Sequence, residues 1–219
     1  LTLKNADLTT RSNFELTIPP DGSSPLLELE TTIGRLDTAI ISHYLPTGVL
    51  PTPVVSWLDR SIVSGYIPRA ALTFVGPIID FPFYDGKGRF SATVDIEDGV
   101  LDFVEDWPDA RDISGTVEFL NEGFTARGTG NVIGENPVTI SGGIPDMRNA
   151  VVLVDGQTTA SMSDVLGYLK EVPFFAQQLG SDLRRLESNL GTTDVDFFLH
   201  LPLKDLTRYE LDVQLDMHG

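Results

Sequence analysis

Apolar and polar side chains alternate along most of the chain. The alternation is cleanest in residues 69–74, 89–97, 194–201 and 209–217, and shorter alternating runs occur nearer the start. A period of two places successive side chains on opposite faces, which is typical of a β-strand with one apolar and one solvated face. Turn signals recur about every 8 to 12 residues, so the pattern predicts about ten strands in an antiparallel meander.

The period changes to that of a helix in two regions. Thr52 is a predicted N-cap with Pro53 at the first helical position, and this helix is expected to end at Gly65. Ser163 is the predicted N-cap of a second helix, and Pro173 separates it from a third. We therefore expect strands in 1–48, a helix in 49–65, a meander in 66–160, helices in 163–191 and a terminal strand pair in 194–217.

The connection formed by residues 76–90 contains strong turn signals. Asp85-Gly86 and Gly88 are predicted to supply the backbone conformations with positive φ that a reversal needs. Pro82 has no amide donor and therefore belongs at an edge or a corner of a sheet. We expect this segment to form a corner between two long antiparallel strands.

About three short helices are too few to cover about ten strands that each have one apolar face. Two packed sheets would bury those faces against each other, and all-β chains more often adopt such a sandwich. One long, strongly curved antiparallel sheet with the helices packed on or across it would leave a large apolar surface open. A surface of that kind indicates a binding site. The sequence pattern alone therefore favours the sandwich.

The charge balance narrows the possible partners. The chain has 32 acidic and 15 basic residues and a net charge of −17, which disfavours nucleic acid and anionic membrane surfaces. Cysteine is absent, so no disulfide or thiolate chemistry is expected. No apolar run reaches the roughly 18 residues that a membrane span needs. The chain begins at Leu1 without an initiator methionine, and we expect it to be part of a longer protein.

The candidate catalytic motifs are weak. Trp107-Pro108-Asp109 matches the acid loop of tyrosine phosphatases, but that chemistry requires a cysteine nucleophile. The acidic residues before Gly99 do not have the spacing of an EF-hand calcium loop. The three histidines are far apart in sequence, and none belongs to a zinc-binding His-Glu-x-x-His motif. The sequence therefore predicts a protein that is not an enzyme, with no cofactor and no metal.

An ordered series of motifs resembles a known family. The series reads Gly76-x-x-x-Asp80-Phe81-Pro82-Phe83, then Asp85-Gly86-x-Gly88-x-Phe90, then Trp107-Pro108 and finally Leu201-Pro202-Leu203. Together with the segment 50–58, it is similar to the central region of the YhdP family, a branch of the AsmA-like envelope proteins of Gram-negative bacteria. The resemblance implies an elongated, curved β-groove with a hydrophobic interior, and so favours the single sheet over the sandwich.

The same resemblance implies a function. We expect a segment of a periplasm-spanning bridge whose groove carries phospholipids between the inner and outer membranes, in a protein anchored in the inner membrane. Its partners would be phospholipid acyl chains and neighbouring segments of the same long chain. The alternative is a non-catalytic β-sandwich scaffold or protein-binding module of the envelope. The expected groove-lining residues are apolar positions of the alternating runs: Leu72, Phe74, Phe90, Val94, Ile96, Leu101, Phe103, Val117, Phe119, Phe124, Leu199, Leu201, Tyr209, Leu211 and Val213.

Overall fold

The computed structural model describes residues 1–4, 9–37, 52–173, 175–176, 191–205 and 208–218. These residues form one β-sheet with two α-helices, α1 (Thr52–Ser61) and α2 (Met162–Glu171). The strands are β1 (Thr2–Lys4), β2 (Thr9–Thr17), β3 (Leu26–Ile33), β4 (Leu36–Asp37), β5 (Ile62–Ile67), β6 (Ala70–Pro77), β7 (Arg89–Leu101), β8 (Ala110–Leu120), β9 (Gly123–Ile133), β10 (Asn136–Ile144), β11 (Val151–Ser161), β12 (Thr192–Pro202) and β13 (Glu210–His218).

Every pairing between these strands is antiparallel. The sheet follows the order β1-β2-β3-β6-β7-β8-β9-β10-β11-β12-β13, and the short strands β4 and β5 branch from it where β5 pairs with β7. Within the described part of the chain β1 and β13 do not pair, so the sheet is open. The prediction of one mainly antiparallel sheet with few helices is confirmed, and the sandwich is not favoured.

The strand register sorts the side chains onto two faces. Directly opposed residues share a face, so their identities can be followed from strand to strand. One row across β7 to β13, on what we call the apolar face, reads Val94, Val117, Ala126, Gly142, Val154, Leu199 and Leu211. The neighbouring row on the opposite, polar face reads Asp95, Thr116, Arg127, Ser141, Asp155, Phe198 and Asp212.

Two β-bulges keep the apolar side chains on one face in β7 and β8. Between the pairs Ile96–Gly115 and Gly99–Ile113, β7 advances three residues while β8 advances two. Asp98, in this extra step, has a φ of 52°. Asp112 has the same φ at the second bulge, where β8 gains a residue on β9. Aspartate tolerates this left-handed conformation better than most residues, and bulges bend and coil a sheet.

Two clusters of buried residues lie at one end of the strands. Leu36, Ile67 and Ala70 form one cluster beside β6. A second cluster joins α2 to β9, β11 and β12 and contains Ile133, Ala160, Met162, Val165, Leu166 and Val195. We call this the helix end of the sheet. The opposite, loop end carries the connections β2–β3, β6–β7, β8–β9, β10–β11 and β12–β13.

The first helix is shorter than predicted. It ends at Ser61 and not at Gly65, because residues 62–67 form β5. This strand pairs with residues 97–101 at the end of β7. Gly65 has a φ of 144°, and a Cβ added to it would lie 2.9 Å from the Cα of Gly99. The prediction of a helix stop at Gly65 was therefore wrong, and this glycine instead allows two strands to approach closely.

The second helix begins earlier than predicted. Its N-cap is Ser161, whose hydroxyl oxygen accepts a hydrogen bond of 3.1 Å from the backbone amide of Asp164, so the prediction of a cap at Ser163 was wrong. The Asp164 carboxylate accepts a hydrogen bond from Asn136, and these contacts lower the pKa of Asp164. The third helix was predicted in a segment of which only residues 173, 175 and 176 are described.

Candidate functional site

The apolar face forms one continuous surface from β2 to β13. It continues beyond β7 toward the start of the chain through the opposed residues Phe74, Leu29 and Phe14. Thirteen of the fifteen predicted lining residues lie on this face within strands, while Phe103 follows β7 and Tyr209 precedes β13. The surface extends well beyond the predicted set.

Most of these predicted side chains are only half-buried. Their exposure ranges from 9% at Phe74 to 44% at Val213. Val94, Phe119 and Leu199 lie between these limits, whereas the core residues Val138 and Val165 are at 1% and 3%. A closed sandwich would bury all of them, so the intermediate exposure indicates a surface that solvent or a ligand can reach.

Small residues form the centre of this surface. The row next to the one given above reads Ile96, Gly115, Gly128, Ile140, Gly156, Phe197 and Val213. The ring of Phe197 lies over Gly156 in the space that a side chain there would occupy. Because glycine has no side chain, the apolar face is recessed at these positions, between bulkier residues toward either end of the strands.

Aromatic side chains cover the apolar face at the loop end of β6 and β7. Phe81 and Phe83 pack on Phe74 and Phe90, with the rings of Phe74 and Phe83 5.1 Å apart and those of Phe81 and Phe90 also 5.1 Å apart. Phe83 is 1% exposed. This cluster forms a wall along one side of the apolar face.

Gly88 has a different role from the one predicted. Gly86 does adopt a positive φ of 73°, but Gly88 is not among the glycines with positive φ. The Phe83 ring instead occupies the space where a Gly88 side chain would be. The turn residue is therefore Gly86, and Gly88 is required because an aromatic ring packs against its backbone.

The helix end supplies the opposite wall. α2 contacts β9 and β11, and the ring of Phe175 beyond it lies 6.0 Å from that of Trp107. Trp107 also contacts Phe103, whose carbonyl oxygen accepts a hydrogen bond of 3.1 Å from the indole of Trp57 in α1. The Trp107-Pro108-Asp109 motif is thus a bend with a packed indole.

Between the two walls, no described element lies over the middle of the apolar face. Val117, Phe119, Leu199 and Leu211 there are half-buried. This uncovered band crosses the strands and carries no charged side chain along the two rows traced above. Such a surface can hold a flexible hydrocarbon chain by apolar contact.

The polar face carries hydrogen-bonded charges. Asp194 accepts a bond of 2.6 Å from the Thr159 hydroxyl and lies 2.7 Å from the His218 ring, and these two contacts lower its pKa. A depression of about 320 Å³ on this side is lined mainly by polar residues of β10 to β13. Within the described ranges no cluster of three or more His, Cys, Asp or Glu is placed to hold a metal ion.

The predicted lining omitted part of the apolar face, although the pattern of apolar residues in the sequence indicates that part too. Phe14, Leu29 and Phe197 occupy the apolar face and lie in alternating runs of the same kind as those used for the prediction. Val154 occupies it at the end of the continuous apolar run 151–154. The two walls were not predictable in this way, since they depend on contacts between residues that are distant in sequence.

Comparison with known proteins places these observations in context. The family model described as YhdP protein matches residues 1–216. The chain is 25% identical over 187 residues to the intermembrane phospholipid transporter YhdP of Escherichia coli (strain K12). That match covers 85% of the chain but only 15% of the relative's length. No solved structure matches the chain. None of the helices in the described ranges combines the length and the apolar character of a membrane-crossing helix.

Proposed function

The chain belongs to the YhdP family, and from this premise we propose that its apolar face carries phospholipid acyl chains as one segment of an intermembrane lipid path. The observation that carries the proposal is the half-exposed apolar face, which runs unbroken across the sheet between two walls. The name of the E. coli relative supplies the class of cargo.

The apolar face has the physical properties that passive transfer needs. Each methylene buried against it contributes about 0.8 kcal/mol, so an acyl chain is retained without any specific polar contact. The same apolar character recurs from strand to strand, so a chain can shift by one strand without exposing more of its surface to water. Sliding makes and breaks no covalent bond, and no catalytic residue is proposed.

The family supports a proposal for the setting of the segment. We place it in the periplasm, in a longer protein anchored in the inner membrane, with neighbouring segments continuing the sheet at its edges. β13 presents Val213, Leu215 and Met217 at 42–65% exposure on the apolar face of the last described strand. An unpaired edge of this kind is a template for another strand, which would extend the apolar face.

A pair of adjacent residues in β12 offers a direct test. Leu199 faces the apolar side, and Phe198 faces the polar side with 38% exposure. Leu199→Asp and Phe198→Asp each remove an apolar side chain and add one negative charge, but on opposite faces. We expect Leu199→Asp to fold and to bind a fluorescent phospholipid at least about tenfold more weakly, whereas Phe198→Asp should bind like the parent.

Folding and binding are measured separately, by thermal melting and by titration with the fluorescent lipid. In an open surface the new carboxylate of Leu199→Asp can reach water, so the fold survives; in a closed core it would be heavily penalised. A parent chain that takes up no lipid, together with a Leu199→Asp variant that does not fold, would contradict the proposal and favour a closed β module.

A further inference from the structure

The connections at the loop end are tied to one another. The Arg148 guanidinium, between β10 and β11, lies 4.4 Å from the centre of the Tyr84 ring in the β6–β7 connection. The backbone amide of Met147 donates to the Glu122 carbonyl at 2.8 Å, and the Lys204 ammonium donates to the Arg148 carbonyl at 3.0 Å. The connections β6–β7, β8–β9, β10–β11 and β12–β13 thus form a continuous rim along this side of the apolar face.

Arg148 is held in one orientation on this rim. Its Nε and Nη2 atoms donate to the Asp146 carboxylate at 2.7–3.0 Å, and Tyr84 lies beneath the guanidinium plane. No described residue accepts a hydrogen bond from Nη1, and the side chain is 57% exposed. A fixed guanidinium with one free edge is suited to an oxyanion such as a phosphate.

Lys204 adds a second positive charge at the same place. It is exposed and forms no ion pair with a described residue, and its neighbour Asp205 pairs with Arg208 at 3.1 Å. Asp146 pairs with Arg148 and Glu122 also acts on its guanidinium, so Lys204 leaves this corner close to neutral in a chain whose overall charge is −17.

The backbone at these cations continues directly into β11 and β12, which carry the apolar face. The Leu203 amide donates to the Ala150 carbonyl at 2.9 Å, and the next pairs inward are Val151–Pro202 and Val152–Leu201, of which the second belongs to the apolar face. The helix end differs: its β7–β8 connection, residues 102–109, contains four acidic residues and no basic one. An anionic group beside the acyl chains is therefore repelled less near Arg148 and Lys204 than near the β7–β8 connection.

We propose that Arg148 and Lys204 bind the phosphate of a phospholipid headgroup whose acyl chains lie on the apolar face, so that headgroups travel along the loop end. This rests on the proposed function, because the phosphate is brought to the rim by the chains beside it. Arg148 offers its free Nη1 edge and Lys204 its ammonium, while Asp146 and Tyr84 act as positioning residues for the guanidinium.

The test compares ligands that share acyl chains but differ in the headgroup. A soluble short-chain phosphatidylglycerol, the uncharged diacylglycerol with the same chains, and inorganic phosphate are titrated into the parent, Arg148→Gln and Lys204→Gln. Arg127→Gln is the matched control, since Arg127 is 68% exposed and paired with Glu118, but lies on the polar face. Thermal melting checks that each variant is folded.

We expect each rim substitution to weaken phosphatidylglycerol binding about two- to fivefold, as for an exposed ion pair, with less effect at high salt. Diacylglycerol binding should not change in any variant, and Arg127→Gln should bind both lipids like the parent. Equal losses in Arg127→Gln, or no loss in either rim variant, would overturn the headgroup site while leaving acyl-chain binding intact. Inorganic phosphate that binds as tightly as the lipid would overturn it too, and a parent that binds neither lipid would remove the proposed function itself.

Discussion

At the scale of single residues, two glycines fix how closely β8 and β9 approach. Gly115 and Gly128 are directly opposed, and a Cβ added to Gly128 would lie 2.5 Å from the Ser114 carbonyl oxygen and 2.9 Å from the Gly115 Cα. The obstructing atoms belong to the backbone, so a side chain cannot turn aside to make room. These positions require glycine because of space, at the centre of the apolar face.

A pair of alanine substitutions separates this effect from the general effect of glycine on the unfolded chain. We expect Gly128→Ala to lower the free energy of unfolding by about 1–3 kcal/mol, because the strands must move apart. Gly167→Ala in α2 should raise it by about 0.5–1 kcal/mol, since a Cβ there meets open space and alanine favours the helix. Denaturant unfolding measures both, and a Gly128→Ala variant as stable as the parent would contradict the close approach.

What the sequence could predict at this scale depends on distance along the chain. Gly86 follows an aspartate in a turn, so its positive φ was predictable from its neighbours. The prediction that Gly88 supplies a positive φ was wrong. The role of Gly88 comes from its contact with Phe83, which depends on the folded path of the connection. Asp98 and Asp112 carry no local signal that separates a bulge residue from any other polar strand position.

At the scale of elements, α2 is attached to the sheet by its apolar side and has one titratable group there. Tyr168 packs on the cluster of Val165, Leu166 and Ile133, and burial raises its pKa well above the usual 10.0. In the folded chain the phenol therefore stays protonated at a pH where the unfolded chain has lost that proton.

This difference predicts a loss of stability in alkali. Because the folded state binds the proton more tightly, the contribution of Tyr168 is complete below pH 10 and declines above it, by up to about 1.4 kcal/mol per pH unit. Tyr168→Phe should make the free energy of unfolding less dependent on pH between about 10 and 12. Urea titrations at pH 7 and along this range measure it, and an unchanged slope in the variant would place Tyr168 outside the core.

The elements themselves were predictable to different degrees. Long strands such as β7, β12 and β13 followed from alternation, because one apolar face must be buried or covered. β5 was taken for the end of a helix, since Ile62, Val63 and the following residues fit either period over so short a stretch. Its identity as a strand comes from hydrogen bonding to β7, which the side-chain pattern does not encode.

At the scale of the whole molecule, the helix end of the sheet contains two separate clusters of buried residues. One lies around Ile67 beside β6 and the other around Leu166 in α2, and strands β7 and β8 lie between them in the sheet. Local unfolding free energies differ across a structure with such a division. The two clusters are therefore expected to respond separately to damage.

Hydrogen exchange tests this with a reciprocal pair of variants. Leu166→Ala and Ile67→Ala each remove a side chain at most 3% exposed and should each lower the stability of their own cluster by about 2–5 kcal/mol. Amide exchange should quicken in α2, β11 and β12 for Leu166→Ala and in β3, β5 and β6 for Ile67→Ala. Uniform acceleration over the whole sheet in both variants would instead indicate one cooperative unit.

The bulges at Asp98 and Asp112 each add one residue to a strand and so change which residue numbers face the apolar side from that point onward. In β7 the even-numbered residues lie on the apolar face before the bulge and the odd-numbered ones after it. Losing one residue from a strand without a bulge would exchange its two faces from that point onward, whereas losing two would preserve them. Length differences among related chains are therefore expected in twos within the strands, and in ones only where a bulge absorbs the change.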